Sequence, residues 1–128
     1  QKVRVFTDSD LKSMEFGGQN LEDICTIIIN ELPQKVNISF DIDGLYQWYC
    51  PSTGTPVPGG LAYEKATYLL SKLNEFGKEI VGFDLVEVAP GETDWDGNVG
   101  ARLLFHLCGV LAKSNGLKVG EKIDFKNL

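Results

Sequence analysis

A chain of 128 residues, 43% hydrophobic and 23% charged, has the composition of one globular domain or part of one. Its formal charge of −6 argues against a nucleic-acid surface, which needs clustered Lys and Arg to displace counterions. No apolar run approaches the ~20 residues of a membrane span and no signal-peptide pattern opens the chain, so the expectation is a soluble, cytoplasmic protein without a membrane partner.

In chain order, Val3 to Thr7 is a short β-rich run. Asp8, Ser9 and Asp10 can cap a brief helix through Met14, which Gly17 and Gly18 break. Asn20, with Asp23 three residues on, can cap a second helix; Leu21, Ile24, Cys25, Ile28 and Leu32 recur along it at helical spacing until Pro33 stops it. Val36 to Asp43 alternates as a strand, with Val36, Ile38, Phe40 and Ile42 on one face and Asn37, Ser39, Asp41 and Asp43 on the other.

Beyond the turn at Gly59 and Gly60, Tyr63, Ala66, Leu70, Leu73 and Phe76 line one face of a helix ended by Gly77. Glu79 to Val88 reads as a second long strand, with Val81, Phe83, Leu85 and Glu87 sharing a face. A loop rich in Gly, Asp and Asn leads to a last helix from about Asn98 to Lys113, apolar nearly all round and so expected to be largely buried. Strands separated by helices imply right-handed βαβ crossovers, hence an α/β fold with Val36–Asp43 and Ile80–Val88 as neighbouring parallel strands. Ligands of such sheets bind beyond the carboxyl ends of the strands, where Asp41, Asp43 and Glu87 fall.

Asp41 and Asp43 carry the sharpest chemical signal. Like charges at i and i+2 repel unless a cation lies between them, and hard divalent ions favour clustered carboxylate oxygens. The two are either half of a metal site or the polar start of a surface loop. Cys25, Cys50 and Cys108 show no metal-type pairing and read as reduced thiols, Cys25 and Cys108 as small buried hydrophobes and Cys50 as a poor nucleophile without a neighbouring His. Asp84 is expected in a salt bridge or cap, and His106, the single histidine, as a packed or surface residue rather than a ligand.

The run Ser39-Phe-Asp-Ile-Asp43, the loop Pro51-Ser-Thr-Gly-Thr-Pro56 with Gly59-Gly60, and the strand Gly82-Phe-Asp-Leu-Val-Glu-Val-Ala-Pro90 together resemble the ureohydrolase superfamily of arginases, agmatinases and formimidoylglutamases. That resemblance implies a three-layer α/β/α sandwich with a parallel sheet. It implies two Mn2+ ions that activate water for attack on a guanidino or amidino carbon. Residue by residue, Asp41 would bridge both ions and Asp43 would bind one. Glu87 would pair with the cationic group of the small-molecule substrate, and Thr55 would lie nearby as a hydrogen-bonding partner; for Thr55 a purely turn-shaping setting between Gly54 and Pro56 is the competing reading.

The family's Gly-Gly-Asp-His and Asp-Ala-His-x-Asp motifs do not occur, and one histidine cannot replace those they supply. Residues 1–128 therefore read as the carboxyl-terminal part of one ureohydrolase-like domain, incomplete in fold and metal set. Where the family has Asp-Pro, this chain has Tyr46-Gln47, followed by Trp48 and Tyr49, so the loop is expected to be displaced or disordered, and its aromatics sticky unless buried. Three readings stand. The first is part of a ureohydrolase, arginase-like before agmatinase-like and inactive alone, that needs its missing amino-terminal half or self-associates. The second is a catalytically dead arginase-fold binding or assembly module. The third is an unrelated α/β domain holding Mg2+ for phosphate chemistry, which no Gly-rich phosphate loop supports. Glu92, Asp94, Asp96 and Asn98 could touch a substrate tail, although an acidic loop is usually solvated.

Overall fold

The computed structural model of the chain describes residues 3–117. Val3 to Phe6 run as coil rather than as the expected strand, and Val3 and Val5 lie open to solvent. An extended segment becomes a strand only when a ladder accepts its backbone groups. Thr7 is instead recruited as the N-cap of α1 (Asp8–Phe16): its hydroxyl accepts from the Asp10 N–H while the Asp10 carboxylate accepts from the Thr7 N–H, a reciprocal capping box. Helix α1 buries no residue and is tied to the later part of the chain by the Glu15–Lys65 ion pair.

Helix α2 (Leu21–Asn30) starts as its sequence implies, with the Asn20 side chain accepting from the Asp23 N–H at 2.9 Å, and buries Ile24, Cys25 and Ile29. Strand β1 (Lys35–Asp41) alternates buried and exposed, then gives way to a 3₁₀ turn at Ile42–Gly44. The strand thus ends two residues earlier than the alternation suggests. Helix α3 (Tyr63–Glu75) crosses over and returns the chain to β2 (Glu79–Val86), which pairs parallel to β1.

A bulge lies early in this ladder: Val36 faces Ile80 but Asn37 faces Gly82, so Val81 is the extra residue. Val81 therefore points outward, 55% exposed, while Ile80, Phe83 and Leu85 turn toward the helices. The face expected to hold Val81, Phe83, Leu85 and Glu87 together does not exist, because the bulge resets its start and β2 ends before Glu87. Gly82 suits this step, since a Cβ there would lie 2.8 Å from the Asn37 Oδ1.

Helix α4 (Trp95–Ser114) begins earlier than its periodicity suggests and is only half buried. Val99, Leu103, Leu107 and Val110 face inward, but Leu104 and Cys108 are exposed and Phe105 is 80% exposed. The expectation that α4 is covered all round, with Cys108 inside, fails among the described residues because α3, β2 and the turn at Gln47–Tyr49 cover a single stripe of it. Two cores result. Cys25, Ile29, Val36, Ile38, Leu70, Leu73, Ile80, Leu107 and Val110 join the helices to the sheet. Ile42, Leu45, Cys50, Ala66, Val99 and Leu103 lie under the carboxyl end of the strands. The architecture is an α/β fold around a parallel pair, incomplete relative to a full α/β/α sandwich. None of its helices is long and apolar enough to cross a membrane among the described residues.

Candidate active site

The second core builds the site. Ile42 is fully buried, and its anchorage folds the chain into the 3₁₀ turn directly after β1. Asp41 caps that turn, its Oδ1 accepting from the Asp43 N–H at 3.1 Å. Asp41 and Asp43 are therefore brought together by a turn and not by a shared strand face, as the alternation had suggested. Turn formation fixes one oxygen of Asp41, and the Thr55 hydroxyl fixes one of Asp43 by donating to Oδ2 at 2.5 Å.

Glu87 follows Val86, the residue paired with Asp41 across the ladder, so all three carboxylates lie at one end of the sheet. Its backbone is left-handed, with φ 62°, the single such non-glycine residue among those described. This turns Glu87 off the strand line. Its Oε2 lies 3.7 Å from where a Cβ on Gly54 would stand. The Asp41 carboxyl is pushed above its ordinary range, first by desolvation at the crowded strand end and then by the Asp43 and Glu87 charges, with the Asp43 N–H opposing. Such a cluster favours a cation.

Oxygen donors of this type suit a hard divalent ion. Yet among the described residues no group of three or more His, Cys, Asp and Glu has metal-ligand geometry, so Asp41 and Asp43 fit part of a metal set and not the whole of a dinuclear one. Thr55 touches Asp43, which is more than turn shaping. Asp84 accepts from the Ser39 hydroxyl at 2.7 Å across the ladder, a cross-strand hydrogen bond rather than the expected salt bridge or cap. His106 stands away from the carboxylates, its Nε2 3.0 Å from the Thr67 carbonyl and 3.2 Å from the Ser71 hydroxyl.

Three features of the loop were not apparent from residue types. Asp96 is not solvated: it is 2% exposed and accepts from the Ser52 N–H at 2.8 Å. Thr53 is buried and donates to the Glu87 carbonyl. Residues 46–49 include a 3₁₀ turn, Gln47–Tyr49, and leave Trp48 63% exposed. The Tyr46 N–H donates to the Leu61 carbonyl, Tyr46 stacks on Trp48 at 4.3 Å between ring centroids, Tyr49 packs against the second core, and the Trp95 indole N–H donates to the Trp48 carbonyl. Cys50 is buried, its thiol donating to the Ile42 carbonyl; burial and then the Asp96, Asp43 and Asp41 charges push its pKa up, which makes it a poor nucleophile.

The carboxylates gathered beyond the parallel strands and the Thr-Gly-Thr loop beside them belong to an α/β fold whose family is shown by comparison with known proteins. The Arginase family model matches residues 1–110, so the chain belongs to the arginase family. It is 38% identical over 94 residues to the hepatic arginase of Aquarana catesbeiana, covering 72% of this chain and 28% of that one. It is 38% identical over 93 residues to N(1)-aminopropylagmatine ureohydrolase of Thermus thermophilus, covering 73% of this chain and 30% of that one. Among solved structures, proclavaminate amidino hydrolase of Streptomyces clavuligerus superimposes with TM-score 0.75 at 27% identity, covering 88% of this chain and 36% of that one. Arginase from Bacillus caldovelox superimposes with TM-score 0.67 at 26% identity, covering 94% and 36%. The chain thus spans about a third or less of the length of these relatives.

Proposed function

We propose that this chain is part of a Mn2+-dependent ureohydrolase that hydrolyses a guanidino or amidino C–N bond, arginase-like first and agmatinase-like second. The observation that carries the reading is the meeting of Asp41, Asp43 and Glu87 at one sheet end within an arginase-family chain. A bound Mn2+ pair supplies Lewis-acid activation of water at neutral pH. Asp41 and Asp43 hold part of that pair. Glu87 accepts charge-assisted hydrogen bonds from the guanidinium or amidinium, which orients its carbon toward the nucleophile. Thr55 restrains Asp43 and lies beside the same group.

Two carboxylates leave each ion under-coordinated, so the isolated chain binds Mn2+ weakly and is inactive. Its partner is the amino-terminal part of an arginase-family domain or a second copy of itself. The test is urea release from L-arginine and agmatine with Mn2+, by the purified chain alone and with a separately expressed amino-terminal half of an arginase-family protein. Release only by the combination, abolished by Asp41→Asn, supports the proposal. Robust Mn2+-dependent release by the chain alone overturns the assignment of an incomplete site.

A further inference from the structure

Thr53 and Asp96 are the two polar side chains buried among the described residues, 5% and 2% exposed, and both belong to the short segment that borders the carboxylates or to its anchor. Successive residues there reach three different elements. Ser52 donates its N–H to Asp96 Oδ1 at 2.8 Å and its hydroxyl to Oδ2 at 3.3 Å, which ties the loop to the first turn of α4. Thr53 donates to the Glu87 carbonyl at 3.2 Å. Thr55 donates to Asp43. Gly91 lets the chain after β2 approach this closely, since a Cβ there would fall 2.1 Å from the Ser52 Oγ.

The bond from Thr53 lands on the one non-glycine residue in the left-handed region among the described residues. A glutamate adopts that conformation only when its surroundings over-determine it, and such residues cluster at functional sites. We propose that Thr53, anchored through Ser52 by Asp96, is a positioning residue that holds Glu87 left-handed and so aims its carboxylate at the cationic group of a guanidino substrate. The substrate part of this rests on the function proposed above; the backbone part does not.

The test measures the residue 87 backbone torsion by NMR couplings in the full chain, with wild type, Thr53→Val and Thr53→Ser. Valine matches threonine in shape and lacks the donor; serine restores it. A positive φ in wild type and Thr53→Ser, moved to negative φ in Thr53→Val, is the expected result. Retention of positive φ in Thr53→Val overturns the inference. If Thr53→Val does not fold, the double variant with Glu87→Gly decides: glycine takes positive φ without help, so recovery of a cooperative melt supports the proposal and no recovery refutes it. In parallel, agmatine is titrated against the residue 87 resonances. Loss of affinity by about tenfold in Thr53→Val with rescue in Thr53→Ser is expected for a misaimed carboxylate. An unchanged agmatine response in Glu87→Gln would defeat the ureohydrolase reading while leaving the torsion result to judge the positioning role.

Discussion

Replacing Ile42 by alanine separates the scaffold of the site from general stability. Ile42 is fully buried between the two aspartates, and Ile29, also fully buried, belongs to the other core, so the pair forms a matched comparison. Each Ile→Ala change removes three carbons at about 0.8 kcal/mol each and leaves a partly relaxed cavity, for a total of roughly 3–4 kcal/mol. Ile→Val at either site costs about 1 kcal/mol. Urea denaturation followed by circular dichroism measures these values, with an unchanged m showing that the denatured state is not the cause. Only Ile42 fixes the turn in which the Asp43 N–H meets Asp41 and the Thr55 hydroxyl meets Asp43. In the cold, where both variants are folded, Ile42→Ala should lower Mn2+ affinity about tenfold, as loss of an orienting shell does, and Ile29→Ala should leave it nearly unchanged. Equal losses of Mn2+ binding, or a destabilisation by Ile42→Ala below about 1 kcal/mol, would refute the reasoning.

Asp96→Ala strands the Ser52 N–H and should cost about 2–3 kcal/mol, with Asp96→Asn costing less because it keeps an acceptor; thermal melts compare them. Gly60→Ala combines φ 95° with a Cβ 2.7 Å from the Leu45 carbonyl and should cost about 2 kcal/mol or more, whereas Gly18→Ala, at φ 93° with open space around it, should cost about 1 kcal/mol. The Glu22 carboxyl is held below its ordinary range by Lys72 and then by Tyr68, so its contribution is present above the unfolded carboxylate pKa and lost as pH falls through the lower folded one. Glu22→Gln should therefore be less stable than wild type at neutral pH and equal to it in acid, as read from denaturation midpoints; a deficit that persists in acid would show that the link does not act through charge.

Periodicity revealed α2, α3 and the parallel strand pair because each buries one stripe or one face, and that pattern is written in residue types. It failed where backbone choice depends on distant partners. Val3 to Phe6 has strand propensity but no ladder, and Val81 becomes a bulge through the register of β1 against β2. That Asp41, Asp43 and Glu87 share one end of the sheet was legible, yet the physical reason offered for the aspartates was wrong: the strand stops at Asp41, and burial of Ile42 makes the turn that joins them. Asp96 looked like one more acid in a solvated loop, since nothing local announces that Ser52, 44 residues earlier, donates to it. The left-handed Glu87 was likewise invisible, because a glutamate carries no marker for that conformation.

The most direct test of the account is Mn2+ binding by the chain, followed by electron paramagnetic resonance, for wild type and for Asp41→Asn with Asp43→Asn. Weak, saturable binding by wild type that disappears in the double variant, while its fold and melt are retained, is the outcome the carboxylate cluster predicts. Equal Mn2+ binding by both proteins would contradict it and detach the metal chemistry from the turn at the end of β1.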